Sequence, residues 1–271
     1  MRTGASYASL AQRRGRGGSV DLKGSVAIVT GGTGGLGRRI CRSLAQHGVR
    51  VAVCYQRRKV EAEAVAGELQ ALGGRAAPFQ VDVVEAGSVD RLVAEVARTF
   101  GRVDILINDA AYNKWIPFQR LGDLALDDWN QILTTNLTGP FLCIKAVAPV
   151  MKRQAQGRIV NVSSIAGFSP TGSSIAYAVS KSGLNHLTRC MAVALAPEIL
   201  VNGVAPGYME GTRMSENLAP EYRQRATQGA ALQRPTDKDD VDHGADARGR
   251  RGARLPLRAP AILTGGGSPW V

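Results

Sequence analysis

Tyr177 and Lys181 stand four residues apart in the stretch YAVSK, and Ser164 precedes the tyrosine by thirteen residues. On a helix, positions i and i+4 share a face, so the lysine ammonium would sit one turn from the phenol and favour its ionised form. A phenol with a lowered pKa exchanges protons near neutral pH, as reducing a ketone or oxidising an alcohol requires. The run TGGTGGLG, residues 30–37, adds a second signal, because it follows an apolar β-branched stretch and opens a helical pattern. There Gly31, Gly35 and Gly37 allow a tight turn and close backbone approach, and a helix starting near Leu36 offers free N–H groups to a pyrophosphate. The spacing is TGxxxGxG rather than GxGxxG.

Such residues need a scaffold. From Ser25 onward, short β-branched runs alternate with longer helical patterns, which argues for an α/β fold: a three-layer, doubly wound parallel sheet of Rossmann type. Strands are expected near 25–30, 50–55, 76–81, 103–108, 158–163 and 199–204, and helices near 36–47, 58–72, 87–100, 127–152, 176–196 and 213–228. The strands are apolar almost throughout, as befits a sheet covered on both faces. Residues 1–20 read as a disordered basic extension and 21–241 as one dinucleotide-binding catalytic domain. Residues 242–271 read as an Arg/Gly-rich tail, in which only 260–264 has the character of a short seventh strand.

The net charge of +12 raises nucleic acid or an anionic membrane surface as partners, but its distribution argues against both. Nine arginines lie in residues 1–20 and 247–271, which hold no acids, leaving 25 basic against 22 acidic residues between them, a balance of only +3. The tails also lack the interleaved aromatics of a single-strand binder. No apolar run spans a bilayer. Cys41, Cys54, Cys143 and Cys190 form no CxxC and fall in apolar segments, so they read as reduced core residues of a cytoplasmic protein. His47, His186 and His243 show no metal-ligand spacing, and no metal site is expected. The absence of GxSxG argues against a Ser-His-Asp hydrolase.

Cofactor choice turns on the end of the second strand. Folds that prefer NAD place an acidic residue there for the ribose 2′-hydroxyl. Here the strand ends in CYQRRK, with no acid before Glu61, so Arg57 or Arg58, helped by Arg38, would hold a 2′-phosphate. NADPH is the preferred reading. NAD(H) is the alternative, if these arginines are only a solvated face.

Over Leu22 to Val241 the chain resembles the short-chain dehydrogenase/reductases, on the TGxxxGxG and YxxxK motifs. The resemblance implies that Tyr177 is the general acid or base, that Lys181 lowers its pKa and bonds the nicotinamide ribose, and that Ser164 holds the substrate carbonyl oxygen. It further implies that Asn136 anchors a water in the proton relay. For the cofactor it implies Thr30, Gly31, Thr33, Gly35, Leu36 and Gly37 at the glycine turn, Asp82 and Val83 at the adenine, and Asn108 and Ala110 along the adenosine. Pro206 and Gly207 would line the nicotinamide pocket, with Thr212 as a carboxamide ligand. Two departures stand out: the usual NNAG reads NDAA, placing Asp109 and Ala111, and PGYMEGT has one residue more than PGxxxT.

Within the family, VAVCYQRR, NLTGPFLC and LVNGVAPGY are most similar to 3-oxoacyl-[acyl-carrier-protein] reductases and polyketide-type ketoreductases. That implies a small-molecule or carrier-protein-bound carbonyl substrate, protonated by Tyr177 as NADPH gives hydride. Met209, Met214 and Leu218 would form either an apolar lid over it or merely the buried face of a short helix. It also implies a homodimer or homotetramer, although an arginine-rich segment stands where the tetramer-forming last helix and strand belong. The competing reading is a catalytically weak or inactive dinucleotide-binding partner subunit or sensor.

Overall fold

The structure, a computed structural model, describes residues 21–228. The expected 242–271 tail, its 260–264 strand and the 1–20 extension lie outside the described residues. Six parallel strands form one sheet in the order β3-β2-β1-β4-β5-β6. They are β1 (Val26–Thr30), β2 (Arg50–Tyr55), β3 (Ala76–Gln80), β4 (Ile105–Asn108), β5 (Gly157–Val162) and β6 (Ile199–Val204). The connecting helices are α1 (Gly35–Gln46), α2 (Lys59–Ala71), α3 (Ala86–Phe100), α4 (Leu126–Leu133), α5 (Gly139–Arg153), α6 (Ile175–Leu195), α7 (Arg213–Glu216) and α8 (Pro220–Gln228).

Two cores sandwich the sheet, and the pleat explains their membership. Successive side chains of a strand point to opposite faces. Val26 and Ile28 of β1 therefore join Leu92 and Val96 of α3 and Ile144 and Val147 of α5 on one face. Ala27 and Val29 join Cys41 of α1 and Val65 and Leu69 of α2 on the other. Central strands buried on both sides carry no polar face, which is why they are legible as continuous apolar runs.

Two expected helices are interrupted, each at a proline. The 127–152 helix breaks into α4, a π-helical turn over Thr134–Thr138, and α5. Pro140 sits in the first turn of α5, where its missing N–H and its ring are incompatible with an unbroken ladder from α4. The 213–228 helix divides into α7 and α8 before Pro220 for the same reason. One cysteine also departs from expectation: Cys41, Cys54 and Cys143 are buried and free, but Cys190 is exposed on the outer face of α6. Among the described residues no helix is long and apolar enough to cross a membrane, and no cluster of His, Cys, Asp and Glu could hold a metal.

Candidate active site

The strand order reverses between β1 and β4, and in open α/β sheets ligands bind in the crevice beyond the strand C-termini at such a switch point. The glycine turn leaves β1 there, and Asp109 and Ala110 leave β4 beside it. Thr30 locks the two together: its buried hydroxyl accepts the N–H groups of Asp109 and Ala110, each at 3.1 Å. Its side chain is thereby spent on the protein.

The turn leaves no room for side chains. Gly31 adopts φ +69°, and a Cβ there would lie 3.0 Å from the Ala110 backbone. At Gly37 a Cβ would fall 2.2 Å from the Gly31 carbonyl oxygen. The α1 N-cap, Gly34, offers no side-chain acceptor, so the amides of Gly35 and Leu36 open the helix uncapped. Uncapped first-turn amides at the positive end of a helix dipole suit a pyrophosphate, and a nicotinamide dinucleotide fits this cradle.

The opposite wall comes from β5 and α6. Ser174 caps α6 by accepting the Tyr177 N–H at 3.1 Å, which fixes the tyrosine at the third helical position. Lys181 follows one turn later and is buried, 3 % exposed. Its ammonium donates to the Val162 carbonyl at 2.8 Å and lies 5.8 Å from the centre of the Tyr177 ring. Ser164 lies two residues past β5 in extended conformation and accepts the Ala166 amide at 3.2 Å. Its hydroxyl lies within hydrogen-bonding reach of the Tyr177 phenol. Ser164, Tyr177, Lys181, Leu36, Pro206 and Gly207 all line one cavity.

The electrostatics correct one expectation. Burial pushes the Tyr177 phenol up to about 12, against a downward pull from the Ser164 hydrogen bond. Burial also lowers Lys181 to about 8, against an upward pull from Asp109. A low phenol pKa set by the lysine is therefore not what this crevice holds. Desolvation dominates both groups, and the phenol keeps its proton.

Asn136 lies in the π-turn, fully buried. Its amide accepts the Tyr112 N–H at 2.8 Å and donates to the Tyr112 carbonyl at 2.9 Å and the Ser180 hydroxyl at 3.0 Å. It thus ties the stretch after β4 to α6, one turn from Tyr177. The Asn108 amide donates to Asn161 at 2.9 Å, inside the sheet. Val83 is buried. The Asp82 carboxylate accepts from Gln56 at 2.9 Å, beside the exposed Arg57 and Arg58. Arg38 faces the neighbouring helix instead, where Glu68 of α2 engages its guanidinium through two nitrogens in a solvent-exposed pair. Thr212 is buried and caps α7, with its hydroxyl directed to Met209 and Ser215.

Met209, Met214 and Leu218 line the cavity. Two residues that sequence reasoning did not single out, Asn113 and Tyr222, also line it, and Trp115 packs against the latter. Asn113 donates to the Met214 carbonyl and accepts from Asn217, both at 3.1 Å. The Trp115 and Tyr222 rings meet edge-on at 5.1 Å. These contacts join segments about a hundred residues apart, and no local pattern announces them.

Fold and site together define a nicotinamide-nucleotide-dependent oxidoreductase acting on carbonyl or hydroxyl groups. The family model for short chain dehydrogenase matches residues 25–223, and the chain belongs to that family. It is 38% identical over 201 residues to a 3-oxoacyl-[acyl-carrier-protein] reductase of Synechocystis, covering 74% of this chain and 80% of the relative. It is also 38% identical over 219 residues to a Streptomyces violaceoruber protein named as a ketoacyl reductase of the granaticin polyketide synthase, covering 80% of this chain and 86% of that one. Among solved structures, NAD+-bound xylitol dehydrogenase superposes with a TM-score of 0.76 at 31% identity, over 81% of this chain and 90% of the other. A short-chain type dehydrogenase/reductase from Mycobacterium marinum gives 0.74 at 30% identity, over 82% and 86%.

Proposed function

We propose that this enzyme reduces the ketone of a 3-oxoacyl thioester or a polyketide-type substrate, with NADPH as cofactor and Tyr177 as proton donor. The bound nucleotide supplies the hydride. Everything else falls to the chain. The Ser164 hydroxyl hydrogen-bonds the substrate oxygen and orients it toward the phenol. Tyr177 delivers its proton to that oxygen as negative charge develops, and the buried Lys181 ammonium stabilises the phenolate left behind. The roof formed by Met209, Met214, Leu218 and Tyr222 lets an apolar chain displace water from the reacting centre.

One observation carries the reading: a half-buried, protonated phenol stands beside a serine hydroxyl and one turn from a buried lysine, above a helix start without a side-chain cap. A phenol that retains its proton is in the form that can donate to a carbonyl oxygen. Arg57 and Arg58 support NADPH, because both are exposed at the rim where no carboxylate competes for a 2′-phosphate before Glu61. The printed names of the relatives support a carrier-protein-bound acyl group as substrate, and the family supports self-association into a dimer or tetramer. Purified chain is assayed for NADPH consumption with an acetoacetyl thioester and a panel of simple ketones, as wild type and as Tyr177→Phe. Turnover of the thioester that disappears with the phenol is the expected result. Activity that survives the substitution would remove Tyr177 as the acid, and NADPH binding without turnover of any ketone would leave a dinucleotide sensor instead.

A further inference from the structure

Position 109 carries a carboxylate where the motif resemblance implies an amide, and the fold lodges it where charge is consequential. The Asp109 N–H is held by Thr30 at 3.1 Å, and its Oδ2 lies 2.9 Å from where a Cβ on Gly37 would sit. The side chain is thus pressed into the glycine turn, and among the described residues it is the only acid lining the cavity that holds Tyr177 and Lys181. From α1 it faces the Gly37 amide and the Cys41 thiol, and from α6 the Lys181 ammonium and the Tyr177 phenol. Cys41 contributes no charge, because burial pushes its thiol up to about 12. Among the described residues Lys181 is the only cation lining the same cavity.

We propose that Asp109 is a positioning residue acting through Lys181: its carboxylate supplies the counter-charge that keeps the lysine cationic in a dry crevice and makes cofactor binding proton-linked. The inference rests on the crevice being a nicotinamide-nucleotide site. Burial raises Asp109 to about 7, with Lys181 and the Gly37 amide pulling it back. Burial lowers Lys181 to about 8, and Asp109 is the one neighbour that opposes the fall. With an amide at 109 that counter-charge is lost, only the Val162 carbonyl and the Tyr177 ring remain to favour the ammonium, and the lysine discharges at a lower pH.

The sign for binding follows from counting charge. As pH rises from about 6 to 9, Asp109 goes from neutral to negative and Lys181 from positive to neutral. Each step adds one negative charge to a crevice that must accept a pyrophosphate. The protonated forms therefore bind an anionic nucleotide more tightly, and affinity falls as pH rises.

The test is Asp109→Asn, which keeps the shape and removes the titration. NADPH is titrated by its fluorescence from pH 6 to pH 9, and kcat/KM for ketone reduction is followed over the same range. Wild type loses two protons across the window and the variant one, so the overall rise in Kd is smaller in the variant by about tenfold, the effect of one pKa unit. The basic limb of kcat/KM, which reports groups of the free enzyme, moves to lower pH by about one unit in the variant. Superimposable pH profiles for the two proteins would overturn the proposal, as would a loss of affinity equal at every pH, which marks a packing role. Failure of wild type to bind NADPH or NADH at any pH is a separate outcome, seen before any substitution, and it removes the cofactor reading along with this one.

Discussion

The two ends of the crevice use charge in opposite ways. At the inner end Lys181 is buried and Tyr177 and Asp109 are half-buried beside it, and desolvation is the largest influence on their proton affinities. At the outer end Arg57 and Arg58 are exposed, Arg58 reaches Glu61 only at 3.9 Å, and Asp82 is tied to Gln56. Low dielectric makes each inner charge expensive and therefore chemically potent. Solvent makes each outer charge cheap, useful for recognition but weak singly. The inner end should therefore respond to single atoms and to pH, and the outer end to charge number and to salt.

The largest expected effect is at the inner end. Tyr177→Phe removes one oxygen and leaves the ring, so folding is retained while kcat falls by roughly 10²- to 10⁴-fold, the range for a lost general acid. Stopped turnover with unchanged NADPH affinity separates this from a binding defect. A fall below tenfold would mean that another group or water donates the proton, and the contrast between the two ends would weaken.

Next comes the floor between them. Gly37→Ala drives a Cβ to 2.2 Å from the Gly31 oxygen, backbone against backbone, where neither side can yield cheaply. A loss of about 2–3 kcal/mol is expected, outweighing the helix propensity gained. Gly67 in α2 is the control, exposed and with nothing within 4 Å of its would-be Cβ. There the same substitution should stabilise by about 0.5–1 kcal/mol. Thermal unfolding of both variants decides, and equal effects would deny that the turn is sterically special.

The inner charges leave a stability signature without any ligand. Asp109 titrates at about 7 in the folded chain and near 3.9 when unfolded. An acid whose folded pKa is raised holds its proton more tightly in the native state, so it costs stability increasingly as pH rises from about 4 to 7, and by a constant amount above. Asp109→Asn should therefore raise Tm at pH 8 by a few degrees, with the gap closing toward pH 4. A gap independent of pH would place the carboxylate in solvent-like surroundings.

How much of this was legible beforehand depended on the range of the interactions. The six strands were readable because central parallel strands are apolar on both faces, and Ser164, Tyr177 and Lys181 because their spacing is local to one turn and one helix. Pro140 and Pro220 are visible as residues, but a continuous apolar pattern masks the cost of continuing a helix through them. The raised phenol pKa is not legible, because i, i+4 spacing reports neighbours and not desolvation, which depends on everything packed around the pair. Asp109 could be noticed as an odd residue, yet its facing of Lys181 across 72 positions of sequence is set only by β4 and α6 meeting at the switch point. The Asn113 and Trp115 contacts with the segment after β6 are tertiary in the same sense.

The smallest effects belong to the outer end, and they are the sharpest test of the contrast. Replacing Arg57 and Arg58 together with Ala should raise the Kd for NADPH by about tenfold, roughly 1.4 kcal/mol, while the Kd for NADH moves little, since only the former carries a 2′-phosphate. Because these guanidinium groups are exposed, the wild-type preference for NADPH should itself shrink several-fold between about 0.05 and 0.5 M salt, as the screening length falls below the reach of the side chains. The kcat at saturating NADPH should stay flat over that range, because Lys181 and Asp109 are shielded from mobile ions. A preference insensitive to salt would mean that the 2′-phosphate is held in a desolvated pocket, and a kcat that fell with it would mean that salt reaches the inner end as well.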